Sequence, residues 1–309
     1  MLESSPILPF DVVVAGAGIR AIEQLTIESC RCIARAHTVF HSGVAPACLP
    51  ALRAINRAAR VVDLSEGEYV PGAYRPDIYE RAARTVVDAA SRRPGVVLIE
   101  PGSPAIADSV TRLVVARGRS AGLRVVVLPG ISSVEALVAA LGLDPSRGLQ
   151  VIQAQDLVLH CFTLNPRLAS VVLQPGYYDT CWWAGWPRSL PDRFESLRQA
   201  LVSSYSEDAP AALVRFEPFG TRTETLWFRI HQLSRLRDAL SPLHTLFIPA
   251  QFAPVADAQF AERIESWDAL QRMTLPAAFD GTRSPQLDDD LRRQSEMLAA
   301  EWRMSTLTP

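Results

Sequence analysis

Asp11-Val12-Val13-Val14-Ala15-Gly16-Ala17-Gly18 is an apolar run that ends in glycines. It has no polar alternation, so neither face of a strand made from it could meet water. A strand apolar on both faces belongs in a parallel sheet with helices packed on each side. The same construction returns twice. Val96-Val97-Leu98-Ile99 runs into Glu100-Pro101-Gly102-Ser103-Pro104, and Leu123 to Leu128 runs into Pro129-Gly130-Ile131-Ser132-Ser133. Shorter strands are expected at Val39-Phe40 and Val61-Val62. Helical patterns fill the intervals: Glu23 to His37, Ala45 to Arg60, Pro76 to Arg92 and Ser109 to Ala121. Pro76 suits a first helical turn, and Asp77 sits near the positive end of the helix dipole. Ser132 and Ser133 before Glu135 predict a capped helix start. This alternation is that of an α/β domain.

The rhythm changes near residue 148. Val151-Ile152, Val171 to Leu173, Ala211 to Val214 and Thr245 to Ile248 are strand candidates with long intervals between them; one interval holds a helical pattern from Leu190 to Ser204. These predict a first α/β domain over 1–147, a second over 148–250 and a helical extension over 251–309. In the extension, Asp288-Asp289-Asp290 before Arg292-Arg293 marks an exposed amphipathic helix with favourable end charges.

Composition excludes several classes of function. A formal net charge of -2 gives no field to gather nucleic acid or anionic membrane. All 31 basic residues are arginine, which rules out a lysine Schiff base or a lysine general base. The 5 cysteines (Cys30, Cys32, Cys48, Cys161, Cys181) have no C-x-x-C spacing, and the 5 histidines (His37, His41, His160, His231, His244) have no ligand spacing. Reduced thiols and no metal are expected. No apolar run reaches the length of a membrane span, and Glu3 with no basic stretch before the first apolar run is unlike a signal peptide. A soluble cytoplasmic protein is expected.

Each Gly/Pro strand end alone is turn punctuation. Three in one domain also describe a crevice outside the carboxyl ends of the strands, where open α/β sheets bind ligands. Gly16-Ala17-Gly18 opens like a dinucleotide fingerprint but lacks the third glycine. The other concentration of chemistry is EYVPGAYRPDIYERA, Glu68 to Ala82. It holds Tyr69, Tyr74 and Tyr79 out of 6 tyrosines in the chain, with Arg75 among them. Two readings stand open. A phenol beside a guanidinium loses its proton more readily and becomes a base; or an amphipathic ring packs its body and wets its tip. Trp182, Trp183 and Trp186, with Tyr177 and Tyr178, form a second aromatic run that lines a channel, meets a partner or packs.

VVVAGAGIRAIEQLT, the strand into GSP, and VVVLPGISSVEAL resemble the tetrapyrrole methylases. These are S-adenosylmethionine (SAM) methyltransferases with two α/β domains and the cofactor in the cleft between them. Ile19-Arg20-Ala21 stands where that class usually has Pro-Gly-Asp, and Gly-Ser-Pro where it usually has Gly-Asp-Pro. GAGIRAIEQLT, LGLDPSRGLQVIQAQDLV, VVLQPG and HTLFIPA resemble, more narrowly, the methyltransferase domain of borosins, which methylate backbone amide nitrogens of a ribosomal peptide, often their own C-terminal tail. The resemblance spans about residues 11–250. It implies a two-domain class III methyltransferase fold (α/β, with a helical C-terminal extension in this chain), SAM as cofactor and S-adenosylhomocysteine as product, a precursor peptide as substrate, and a homodimer. It implies Tyr79 as the base, Arg75 as the cation favouring its phenolate, and Tyr69 as hydrogen-bond donor to the amide oxygen. Ser65-Glu66-Gly67 stands where the family has a further tyrosine. Cofactor contacts are implied for Gly16, Gly18, Gly102, Ser103, Pro104, Ile106 and Ser132, and from the second domain for Gln174 and Thr245. The last residues, SEMLAAEWRMSTLTP, hold no apolar core peptide, so a separate precursor is expected. Two other readings remain: methyl transfer to a small molecule such as a tetrapyrrole, and cofactor binding without turnover.

Overall fold

The computed structural model describes residues 10–183, 194–217, 222–236, 243–251, 256–268, 292, 293 and 296. The chain divides into two compact units, 1–252 and 253–309. In the first unit, one sheet is built from β1 (Val12–Gly16), β2 (Thr38–His41), β3 (Arg60–Asp63), β4 (Val96–Glu100) and β5 (Val125–Val127). All its strands are parallel, in the order β3-β2-β4-β1-β5. β1 and β4 are buried along their whole length, as their two-faced apolarity requires. Helices α1 (Ile27–Arg35) and α2 (Leu49–Ile55) cover one face through Ile33 and Leu52, against Val13, Ala15, Val97 and Ile99. Helices α3 (Arg75–Arg92) and α4 (Ser109–Ser120) cover the other, against Val12, Val14, Phe40 and Leu98. In α3, Ile78, Ala82, Ala83, Val86, Val87 and Ala90 form the buried stripe, recurring every three or four residues.

Helix α5 (Ser133–Leu141) starts with the expected capping box: Ser132 Oγ accepts from Val134 N (3.0 Å) and Ser132 N donates to Glu135 Oε2 (2.8 Å). It leads into a second sheet of β6 (Leu149–Gln153), β7 (Ala169–Leu173), β8 (Pro210–Phe216), β9 (Thr223–Arg229) and β10 (His244–Ile248), in the order β6-β7-β10-β8-β9. Only β6 and β7 are parallel. Helices α6 (Ala154–Leu159) and α7 (Glu195–Val202) fill one face with Leu157, Leu197 and Leu201. On the other face, Val171, Ala212, Val214 and Phe247 pack on Leu137 of α5 and on Ile106 and Ala107, which follow β4. The two sheets therefore share a core, and Leu137 is fully buried within it. Leu137→Ala is expected to cost roughly 2–5 kcal/mol of stability, read as a lower urea midpoint with an unchanged slope; a loss well under that range would mean that this shared core closes over the gap.

Several elements differ from those expected, α6 among them, which was not foreseen. Thr26 caps α1, its Oγ1 accepting from Ser29 N at 3.1 Å, so Glu23 lies in a separate 3-10 turn, Ala21–Gln24. The pattern from Ala45 yields a 3-10 turn and then only Leu49–Ile55, because Asn56 ends it and its side-chain amide caps the carbonyls of Ile33, Ala34 and Ala36. β9 was not foreseen: it is an edge strand with most of its residues exposed. In the second unit, α8 (Ala258–Glu265) begins at Asp257, whose Oδ1 accepts from Phe260 N at 2.8 Å. Trp186, the acidic run from Asp288 and the last residues lie outside the described residues.

Candidate functional site

The carboxyl ends of β1 and β4 lie side by side, and their loops interlock. Gly18 N donates to Gly102 O (3.1 Å) and Gly102 N to Gly18 O (2.9 Å). Both glycines have positive φ, 76° and 73°, where a side chain is strained. A Cβ on Gly16 would collide with the Gly102 carbonyl and stand 2.9 Å from Pro104 Cδ; one on Gly130 would lie 3.1 Å from Gly16 Cα. The three Gly/Pro strand ends thus meet backbone to backbone.

Beside them opens a cavity of about 580 Å3, the size of a small-molecule site. Gly18, Gly102, Ser103, Ile106 and Ser132 line it from the first sheet, and Gln174 and Thr245 from the second. Gly16 and Pro104 are not in its lining; they make the close backbone packing beside it. Gln174 and Ala107 are two of the three non-glycine residues at positive φ among those described, both at 52°, and Gln174 Nε2 donates to Ala107 O at 3.4 Å. Such strained backbone is characteristic of ligand sites.

The tyrosine segment is tied to the second half of the unit. Gly72 N donates to Trp183 O (2.7 Å), Trp183 N to Ala73 O (2.7 Å) and Arg75 N to Cys181 O (2.9 Å), a short antiparallel ladder. Tyr69 meets Trp183 edge-on at 5.1 Å, and Tyr177 lies 5.7 Å from the same indole. Tyr74 packs on Trp182 at 4.8 Å, the second of the two readings open for the segment's phenols. Tyr69 lines the cavity, together with Tyr177. Tyr79 is partly buried against the α3–α4 core. The Arg75 guanidinium donates to the carbonyls of Tyr177 (3.1 Å) and Thr180 and lies 5.1 Å over the Tyr177 ring; its Nε is buried without a hydrogen-bond partner. Burial pushes the Tyr69 phenol up, and the charges of Tyr79, Glu100 and Tyr177 push the same way while Arg75 opposes them. Tyr69, Tyr79 and Arg75 therefore share one electrostatic neighbourhood, but only Tyr69 belongs to the cavity wall.

Two carboxyls that the sequence reading passed over stand in the same place. Glu100 ends β4 and is 2% exposed; Ser42 Oγ donates to its Oε1 at 3.0 Å. Asp108 caps α4, accepting from Thr111 N at 2.6 Å, and lines the cavity. Burial raises both, and Asp108 raises Glu100 further while Ser42 opposes. A signal for Glu100 existed. It shares the parity of Val96 and Leu98, which face α3 and α4, so a charge had been placed at the inward end of a buried strand.

Since the folded pKa of Glu100 exceeds its ordinary value, the folded state holds an extra proton between the two, and stability falls as pH rises through that window. Glu100→Gln has no such proton to lose. Its urea midpoint relative to the parent chain is expected to be higher at pH 8 than at pH 5, and a pH-independent difference would refute the shift.

Among the described residues no His, Cys, Asp or Glu cluster suits a metal ion, and no helix is long and apolar enough to cross a membrane. The described cysteines are all free.

The chain is similar to known proteins in sequence and in fold. The chain is 28% identical over 177 residues to the methyltransferase/ribosomally synthesized cyclic peptide dendrothelin A precursor of Dendrothele bispora, covering 57% of this chain and 42% of that protein. It is 30% identical over 166 residues to the corresponding gymnopeptides precursor of Gymnopus fusipes, covering 53% and 39%. The chain thus spans about two-fifths of the length of these curated relatives. The uroporphyrin-III-C-methyltransferase of Thermus thermophilus superposes with a TM-score of 0.54 at 21% identity, over 77% of this chain and 91% of that one. A structure of that name complexed with S-adenosyl homocysteine gives 0.52 at 18%, over 77% and 96%. The two-sheet α/β fold expected from the sequence is the fold of these methyltransferases. The profile of the Tetrapyrrole (Corrin/Porphyrin) Methylases matches residues 11–227, the span that carries both sheets up to β9 and every strand-end loop of the first, and on that match the chain belongs to the tetrapyrrole methylase family of methyltransferases.

Proposed function

We propose that the chain methylates backbone amide nitrogens of a ribosomal peptide, with SAM as methyl donor. The cavity suits a nucleoside joined to an amino acid. It combines apolar walls from Ile106, Leu173 and Phe216 with hydroxyl and amide groups of Ser103, Ser132, Gln174 and Thr245, beside glycines whose space a Cβ would take. When bound, SAM supplies an electrophilic methyl group.

The observation that carries the peptide reading is Tyr69, a phenol kept protonated at the cavity wall. A peptide nitrogen is a poor nucleophile because its lone pair is delocalised. As it gives up its proton, negative charge gathers on the carbonyl oxygen, which then needs a donor. Tyr69 is that donor. Tyr79, one turn of α3 beyond Arg75, is the base, with Arg75 as its cationic neighbour on the helix. Relatives whose names join a methyltransferase to a ribosomal cyclic peptide support the same substrate class. The proposal includes a homodimer and a separate precursor peptide.

The test is mass spectrometry of the purified chain incubated with SAM, alone and with short peptides encoded beside it. Added methyl masses that fragment onto backbone nitrogens of a separate peptide are the expected result. Methyl masses on the chain itself would replace the separate precursor by self-modification. Transfer to a tetrapyrrole, with both peptide and chain unchanged, would reject the peptide reading.

A further inference from the structure

Building on the cofactor reading above, we propose that Asp108, backed by the buried Glu100, selects the cationic cofactor over its uncharged product by charge. The ionisable side chains among the described residues lining the cavity are Asp108, His244, Tyr69 and Tyr177. Asp108 is the one carboxylate in that lining, no arginine is in it, and the chain has no lysine. Asp108 is fixed in place by its bond from Thr111 N at 2.6 Å. The cation acting on it is Arg112, exposed and one turn into α4, whose Nη2 also donates to Ser109 Oγ at 3.1 Å. Glu100, buried at the end of β4, is within reach of the Asp108 charge, with Ser42 donating to it at 3.0 Å and Tyr69 within reach of its own charge. Ionising the second carboxyl beside the first is harder without a positive ligand.

SAM carries a sulfonium and an ammonium against one carboxylate, so its net charge is positive. S-adenosylhomocysteine has lost the sulfonium charge and is neutral overall. A net positive ligand relieves the repulsion between Asp108 and Glu100; a neutral one does so less. Burial raises both carboxyls and Asp108 raises Glu100 further, so the preference for SAM grows as pH rises and the two ionise. His244, across the cavity, would act in the same direction by losing a proton, so the comparison must be made against a variant lacking the Asp108 charge.

Titration calorimetry of the full chain with SAM and with S-adenosylhomocysteine decides this. Asp108→Asn keeps a side chain equally good at a helix N-cap, so α4 retains its start. Its SAM affinity is expected to fall about tenfold, against less than about threefold for S-adenosylhomocysteine, and the rise in preference from about pH 6 to 8 should shrink. Asp108→Glu, which retains the charge, should keep the preference. Equal losses for both ligands, or none, would overturn the charge-selection role. A parent chain that binds neither ligand would overturn the cofactor reading itself, a result distinct from parent binding with no change in preference.

Discussion

Tyr79→Phe should slow methyl transfer by roughly 10²–10⁴-fold, the range for loss of a general base. Its SAM affinity should remain within about twofold of the parent, because Tyr79 is not in the cavity lining and a one-atom truncation leaves its ring packing against the α3–α4 core. The choice between the phenols rests on their surroundings. Burial and the nearby Glu100, Tyr79 and Tyr177 push the Tyr69 phenol towards its protonated form, which suits a donor better than a base. Tyr79 follows Arg75 by one helical turn. Single-turnover rates with saturating SAM and peptide separate the two roles. If Tyr79→Phe turns over at the parent rate while Tyr69→Phe does not, Tyr79 is not the base.

Arg75→Ala should lose roughly a hundredfold in turnover, the scale of a misplaced active-site wall. The guanidinium holds the Tyr177 and Thr180 carbonyls while covering the Tyr177 ring, and both Tyr177 and Tyr69 touch Trp183. Truncation leaves those carbonyls without their donor and frees the turn that carries the indole. Arg75→Lys should recover little, since an ammonium cannot reproduce the planar fork that bonds and stacks at once. Tryptophan emission should change in both variants along with the rate. A rate loss with unchanged emission would assign Arg75 to the phenolate alone, and unchanged turnover would deny it either role.

The first sheet was legible because β1, β4 and β5 are apolar runs that stop at glycine or proline, a pattern that leaves little choice of architecture. The cavity followed from that legibility, since the strand ends must meet where the sheet order places β4 beside β1. β9 escaped notice because Thr-Glu-Thr-Leu-Trp-Phe-Arg at a sheet edge lacks a clean buried face. Arg75 was read against its helical neighbour Tyr79, yet its hydrogen bonds go to carbonyls more than a hundred residues away. No local pattern encodes a backbone acceptor. Asp108 did not stand out because an acid before a helix has a sufficient local explanation as a cap. Its place on the cavity wall depends on the second sheet closing opposite.

The ladder between residues 72–75 and 181–183 has an energetic meaning. One wall beside the cavity is assembled by folding alone, so its ordering entropy is not charged against substrate affinity. At a net of about 0.5–1.5 kcal/mol for each backbone bond, three such bonds and the Arg75 clamp hold that wall in place without help from a ligand. The freedom given up there is lost before any substrate arrives, which is what preorganisation means in this fold.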